Sequence, residues 1–339
     1  MSCIREWCWF EHTSTIDWPA AFLDIKWQWL VRSGTMASTR RIEFGLFLPQ
    51  WNERAGPDTW RRIARAAEAH GFDAVSRGDH VAYPSDPNDE NWTDSSMNAY
   101  DVFSVLSYVA GITDELTLGT NICVAPLRHP VHLAKLALSL DALSEGRFEF
   151  GVAVGWLRRE FAVLDVPFDE RGSRTDEFLD LFKTACEEPE FAFEGPHHSF
   201  DTTGFHPRPA SDGGPPIMIG GNSGAAFRRL AQFGDGWLIS ASPDEVRSAR
   251  RRIMAAWKDY DRDGEPAIAA GSDAYVGTTL PPDVDGPLVG TADEIIQTID
   301  AYADAGTTRV DLRFYSTTAD VEESVAQIRR FGEEIIPSF

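Results

Sequence analysis

Histidine takes and gives protons at physiological pH because its ordinary pKa lies near 6.5. His80 closes the run Arg77-Gly78-Asp79-His80, directly after an apolar segment. His80 is therefore the first candidate for general acid/base work, with Asp79 placed to orient the ring or to cap the turn. A structural loop histidine is the competing reading, and the Arg-Gly-Asp tripeptide is taken as accidental. A second run, Gly220-Gly221-Asn222-Ser223-Gly224, joins an apolar segment to a helical pattern at Ala225–Gln232. Glycines permit close backbone approach and a helix start offers N–H groups, so Gly220, Gly221, Asn222 and Ser223 form a candidate phosphate cradle. A plain tight turn explains the same residues. Arg128, in the stiff link Pro126-Leu127-Arg128-His129-Pro130, offers a cation to an anionic ligand.

Other polar groups read differently. Arg147 follows Gly146 at the start of a strand pattern, where a structural salt bridge is expected. The clusters Arg158-Arg159-Glu160 and Glu170-Arg171 with Arg174 read as solvated helix faces. His197-His198 has no third ligand at metal-binding spacing, and Cys3, Cys8, Cys123 and Cys186 form no CxxC or Cys/His set, so no metal or disulfide framework is expected.

The elements that must hold these residues recur as strand then helix, eight times from residue 41 onward. Short apolar runs at Ile42–Pro49, Phe72–Arg77, Leu116–Ile122, Phe148–Val154, Pro216–Gly220, Gly236–Ser240, Ala267–Val276 and Arg309–Phe314 read as strands buried on both faces. Start and stop signals bound helices at Thr59–His70, His132–Leu143, Glu245–Tyr260, Ile295–Ala305 and Val321–Ile336. Eight such units without a GxGxxG run predict an α/β fold, a closed (β/α)8 TIM barrel. Its active face lies at the strand C-termini. That rule selects Asp79 and His80, Asn121-Ile122-Cys123, Gly155-Trp156 and Gly220–Ser223. Phe191–Pro215, rich in His, Pro and Gly, reads as an insertion over that face.

Residues 1–40 differ from the rest. They hold five of the eleven tryptophans and two of the four cysteines, and Met36 resembles an ordinary start. An extension, disordered or arising from a misplaced start, is expected there, with a weak amphipathic helix through Phe22, Ile25 and Trp29 as the alternative and residues 41–339 as the barrel. The segment Trp18–Val31 is too short and too charged to span a bilayer and lacks signal-peptide organisation. The chain carries 53 acidic against 31 basic residues, a net charge of −22, and only four of the bases are lysines. Such a surface disfavours nucleic acid and anionic membranes. Strong salt would screen its self-repulsion. A halophile's cytoplasm is the expected home, an acidic mesophilic enzyme the alternative.

These residues together resemble a family. Leu116-Thr117-Leu118-Gly119-Thr120-Asn121, Arg128-His129-Pro130, Leu140-Asp141-Ala142-Leu143-Ser144-Glu145-Gly146-Arg147-Phe148, Gly155-Trp156, Glu160-Phe161 and Pro216-Ile217-Met218-Ile219-Gly220-Gly221 are similar to the bacterial luciferase-like monooxygenase superfamily, nearest its F420-dependent branch. The resemblance implies a TIM barrel binding F420, or FMN as the alternative, at its mouth. It implies Asp79 and His80 at the active site and His80 as the proton-handling group. It also implies a non-prolyl cis peptide at Asn121-Ile122 or one bond later, and a phosphate contact at Gly220-Gly221. The expected activity is hydride exchange between F420 and a small organic substrate. A flavin monooxygenase fed by a separate reductase, and a flavin-binding protein without turnover, are the alternatives. A homodimer is expected. Trp156 stands where some F420-dependent dehydrogenases carry a catalytic glutamate, which argues against a sugar-phosphate substrate. An anionic cofactor further implies acid on the outer helices and a locally basic mouth, with arginines such as Arg128, Arg158 or Arg159 to neutralise it.

Overall fold

The computed structural model describes residues 42–339 apart from 51–53, 83–98, 282–283 and 319. The extension expected at residues 1–40 lies outside the described residues.

Among the described residues, twelve strands and nine α-helices follow in order: β1 (Glu43–Phe47), α1 (Pro57–Ala69), β2 (Ala74–Arg77), α2 (Val102–Ala110), β3 (Thr117–Thr120), β4 (Cys123–Val124), α3 (Pro130–Leu143), β5 (Phe148–Ala153), α4 (Arg158–Val163), α5 (Arg171–Glu187), β6 (Glu190–Glu194), β7 (Ser199–Gly204), β8 (Ile217–Gly220), α6 (Gly224–Phe233), β9 (Gly236–Ser240), α7 (Pro243–Asp259), β10 (Ala267–Val276), β11 (Leu288–Gly290), α8 (Ala292–Ala305), β12 (Arg309–Arg313) and α9 (Val321–Glu334). Parallel pairing runs β12-β1-β2-β3-β5-β8-β9-β10 and returns from β10 to β12. All eight expected strands form, and the sheet closes as a (β/α)8 barrel. The capping signals act as read. Ser242 and Thr291 each form a reciprocal capping box with a glutamate three residues on, and Gly306 ends α8 in the left-handed region. Elements not foreseen include α2, capped by Asp101, the antiparallel β6–β7 hairpin in the region of the expected insertion, and the short strands β4 and β11.

Inside the barrel, β5 and β12 bring charges together. The Arg309 guanidinium forks onto both Glu149 oxygens at 2.8 and 2.9 Å and reaches Asp311 at 2.8 Å. Gly45 makes this possible, because a Cβ there would run into the Asp311 carboxylate. Burial opposes the Arg309 charge, but Asp311 and Glu149 more than offset it and hold the guanidinium protonated. Burial pushes the Asp311 carboxyl up despite Arg309. Asp311 also accepts from Asn121 Nδ2 at 3.2 Å, linking the network to the end of β3. A separate cluster of Met218, Leu238 and Ala269 is apolar and packs against Ile122. Arg147 does have a structural role, but not the expected salt bridge. Its guanidinium donates to the carbonyls of Ser144, Leu116 and Ala110 and to Thr113 Oγ1, closing the ends of α2 and α3 onto the barrel. No helix among the described residues is long and apolar enough to cross a membrane.

Arg309→Met leaves the buried Asp311 and the half-buried Glu149 without their cation. Urea denaturation is expected to show a loss of about 3–5 kcal/mol at neutral pH. Acidification should recover part of it, since a buried carboxyl with a raised pKa favours the folded state as it takes up its proton.

Candidate active site

The chain leaving β2 is held by a carboxylate from across the barrel mouth. Glu160, in the first turn of α4, is 1% exposed. One of its oxygens accepts the Val81 and Ala82 N–H groups at 2.6 and 3.2 Å, and the other meets His80 Nδ1 at 3.1 Å. A carboxylate accepts only, so Nδ1 carries the hydrogen and Nε2 becomes the basic nitrogen of the neutral ring. The Trp156 ring stands edge-on to His80 with centroids 6.2 Å apart and is 59% exposed. It gives the histidine an apolar wall open to solvent. Glu160 was read as part of a solvated face, and that reading fails. A six-residue helix is too short for periodicity to reveal its buried side, although the adjacent Phe161, 1% exposed, points to it.

Asp79 does not orient His80. Its buried carboxylate takes both Arg128 terminal nitrogens, at 2.5 and 2.9 Å, and the Val124 N–H at 3.1 Å. Arg128 also donates to Asp101 at 2.9 Å and lies over the Phe103 ring. Burial opposes the Arg128 charge, yet Asp79 raises its pKa above the usual arginine value. Burial likewise opposes the Asp101 charge, but hydrogen bonds from Ser104 and Arg128 leave its carboxyl below the usual range. Arg128 is thus committed to two carboxylates of its own chain and is not the ligand cation expected of it. Cys123 is fully buried beside this pair, and burial, then Asp79, pushes its thiol well up. It faces protein, not ligand. Arg77 is buried too, donating to the Pro49 carbonyl at 2.7 Å, and burial lowers its pKa to about 10. The Arg-Gly-Asp run is therefore an interior feature.

The remaining candidates meet across the strand ends. The Asn121–Ile122 peptide is cis, the first of the two expected positions. Ile122 packs closely over Gly220, where a Cβ would collide with it. Gly221 has φ 105°, a conformation that favours glycine, and its carbonyl accepts the Trp237 indole N–H at 2.7 Å. Ser223 caps α6 by accepting from Ala226 N at 3.1 Å, while Gly221 to Ala225 are exposed. Gly155 also has a positive φ, and a Cβ there would strike Val124 and Phe161. Tight packing thus accounts for Gly155 and Gly220. The exposed start of α6 keeps the donor character of a phosphate cradle. A cation missed in the sequence, Arg313 at the end of β12, pairs with Asp273 at 2.8 Å and reaches Ser240 at 3.2 Å. Arg309, Arg313 and Arg128 all carry carboxylate partners, so these arginines do not make a basic mouth. Among the described residues, the Ile122–Gly220 floor, the His80–Trp156 side and the open turn at 221–225 fit a flat ring with a phosphate arm.

Residues 42–281 match the luciferase-like monooxygenase family. An uncharacterized protein of Mycobacterium bovis is 31% identical over 200 residues, 56% of this chain and 68% of that protein. In fold, the chain is similar to the monooxygenase RslO1 from Streptomyces bottropensis (TM-score 0.74, 21% identity, 88% of this chain and 99% of that one). It is also similar to the coenzyme F420 dependent tetrahydromethanopterin reductase from Methanopyrus kandleri (TM-score 0.72, 20% identity, 88% and 99%).

The role found for Asp79 can be checked by stability. Asp79→Asn keeps the shape but removes the charge facing Arg128, and is expected to lower unfolding free energy by about 1.5–3 kcal/mol in urea. Asp58→Asn, at an exposed pair on α1, should stay within about 0.5 kcal/mol.

Proposed function

The chain belongs to the luciferase-like monooxygenase family, and from that premise we propose that this oxidoreductase exchanges a hydride between coenzyme F420 and a small organic alcohol or carbonyl compound. The observation that carries this reading is the pairing of His80 with the buried Glu160 at the barrel mouth. Oxidising an alcohol removes a hydride from carbon and a proton from oxygen, and reduction reverses both. A histidine whose Nδ1 is held by a carboxylate presents Nε2 for that proton.

F420, when bound, supplies the hydride acceptor and donor at a ring carbon. The chain supplies the rest. Ile122 and Gly220 form the floor for the ring, and Asn121, tied to Asp311, fixes that floor from inside the barrel. The turn Gly221-Asn222-Ser223 and the start of α6 take the phosphate side. Trp156 lies edge-on beside His80 and narrows the approach for substrate. His80 takes the hydroxyl proton during oxidation and returns it during reduction. Holding reactants in place and moving one proton is what a cofactor enzyme asks of its protein.

Titrating the protein with F420 and with FMN, followed by absorbance and calorimetry, checks the cofactor. Saturable F420 binding is expected, and tight FMN binding without F420 binding would overturn the proposal in favour of a reduced-flavin monooxygenase. With the cofactor identified, His80→Ala should lower turnover about 10²–10⁴-fold while changing cofactor affinity little. Unchanged turnover would remove His80 from the mechanism.

A further inference from the structure

Four of the chain's eight histidines, His129, His132, His197 and His198, line one open cavity of about 730 Å³. It lies between the start of α3 and the β6–β7 hairpin, and one of the chain's four lysines, Lys135, joins them. Among the described residues no carboxylate lines it, although the chain carries 53. Val131 and Phe200 give it an apolar wall, and Ser199 and Thr203 add hydroxyl groups.

The nearby acids face the histidines from behind. Glu177 of α5 is buried, with its oxygens on His198 Nδ1 at 2.5 Å and on the His197 N–H at 2.6 Å. Glu170 lies 3.5 Å from His197 Nδ1 and is also paired with Arg174. These contacts fix the two hairpin rings and make Nε2 of His198 its basic nitrogen. The His129 ring meets the His198 ring edge-on at 4.9 Å. Burial lowers the His129 pKa, and the neighbouring His198 and His132 lower it further. Lys135 Nζ donates to the His206 carbonyl, which holds its charge at the rim.

We propose that this groove binds a small organic anion, its carboxylate or phosphate group meeting Lys135, His129 and His132 and its apolar body lying on Val131 and Phe200. Burial and the neighbouring rings oppose the charged form of His129, so an anion bound beside it favours its protonation, and affinity rises as pH falls through the histidine range. The inference does not rest on the cofactor assigned above.

The test uses the full chain, titrated with benzoate, phenyl phosphate and benzyl alcohol at about pH 6 and about pH 8, with histidine side-chain resonances followed by NMR. Binding of at least one anion, shifting His129 and His132 and tighter at the lower pH, is expected; the stronger of the two identifies the headgroup. Lys135→Met should weaken it about tenfold. His132→Gln, at a second exposed position, should weaken it in the same direction. The proposal is overturned if benzyl alcohol binds as well as the anions, if both variants bind unchanged, or if the shifts appear at His80 instead.

Discussion

A buried carboxylate must find its hydrogen bonds inside the protein, because losing water without replacing it is costly. Glu160 meets that requirement with two backbone N–H groups and one imidazole from the chain leaving β2. The three contacts act together. They fix the path of residues 80–82, set which histidine nitrogen is basic, and draw the short helix α4 against the mouth. Trp156, four residues before Glu160, comes beside His80 as a result. Removing the carboxylate would therefore loosen the loop, the histidine and the aromatic wall together.

The same constraint organises the charges elsewhere. Arg128 lies between Asp79 and Asp101, Arg309 between Glu149 and Asp311, and Arg313 beside Asp273. The net charge of −22 suggested acid outside and a basic mouth. The first half holds on the outer helices, where Asp180, Asp293, Asp300, Asp304, Glu322 and Glu334 are exposed. The second is not met by Arg128, Arg309 and Arg313, which are neutralised in place by carboxylates of the chain itself, whereas Arg158 and Arg159, after β5, are exposed. What the mouth offers an anionic group is the dipolar start of α6. A cavity lined by histidines and a lysine lies instead beside the β6–β7 hairpin.

The barrel was legible because its signals are local. Eight short apolar runs, helix caps such as Ser242 and Thr291, and glycines after helices each state their own element, and parallel pairing follows from the alternation. The site was legible only in part. His80, Asn121, Ile122 and the Gly220–Ser223 turn lie at strand ends, where the barrel rule looks, while the cis Asn121–Ile122 bond followed from the family resemblance. Pair assignments were not legible. Asp79 adjoins His80 in sequence, yet the orienting carboxylate comes from Glu160, eighty residues away. Which acid meets which base is decided by the angle at which each strand end and helix start enter the mouth, and one sequence does not state that angle. The roles of Arg128 and Cys123 were misread for the same reason: a residue near a strand end can point outward into the helical layer.

A crystal structure of the protein soaked with F420 measures the central claim most directly. The expected result is the ring seated on Ile122 and Gly220, its phosphate at the start of α6, and His80 facing the ring while still bonded to Glu160. A cofactor seated away from His80, or a His80 ring turned away from both Glu160 and the cofactor, would contradict the account.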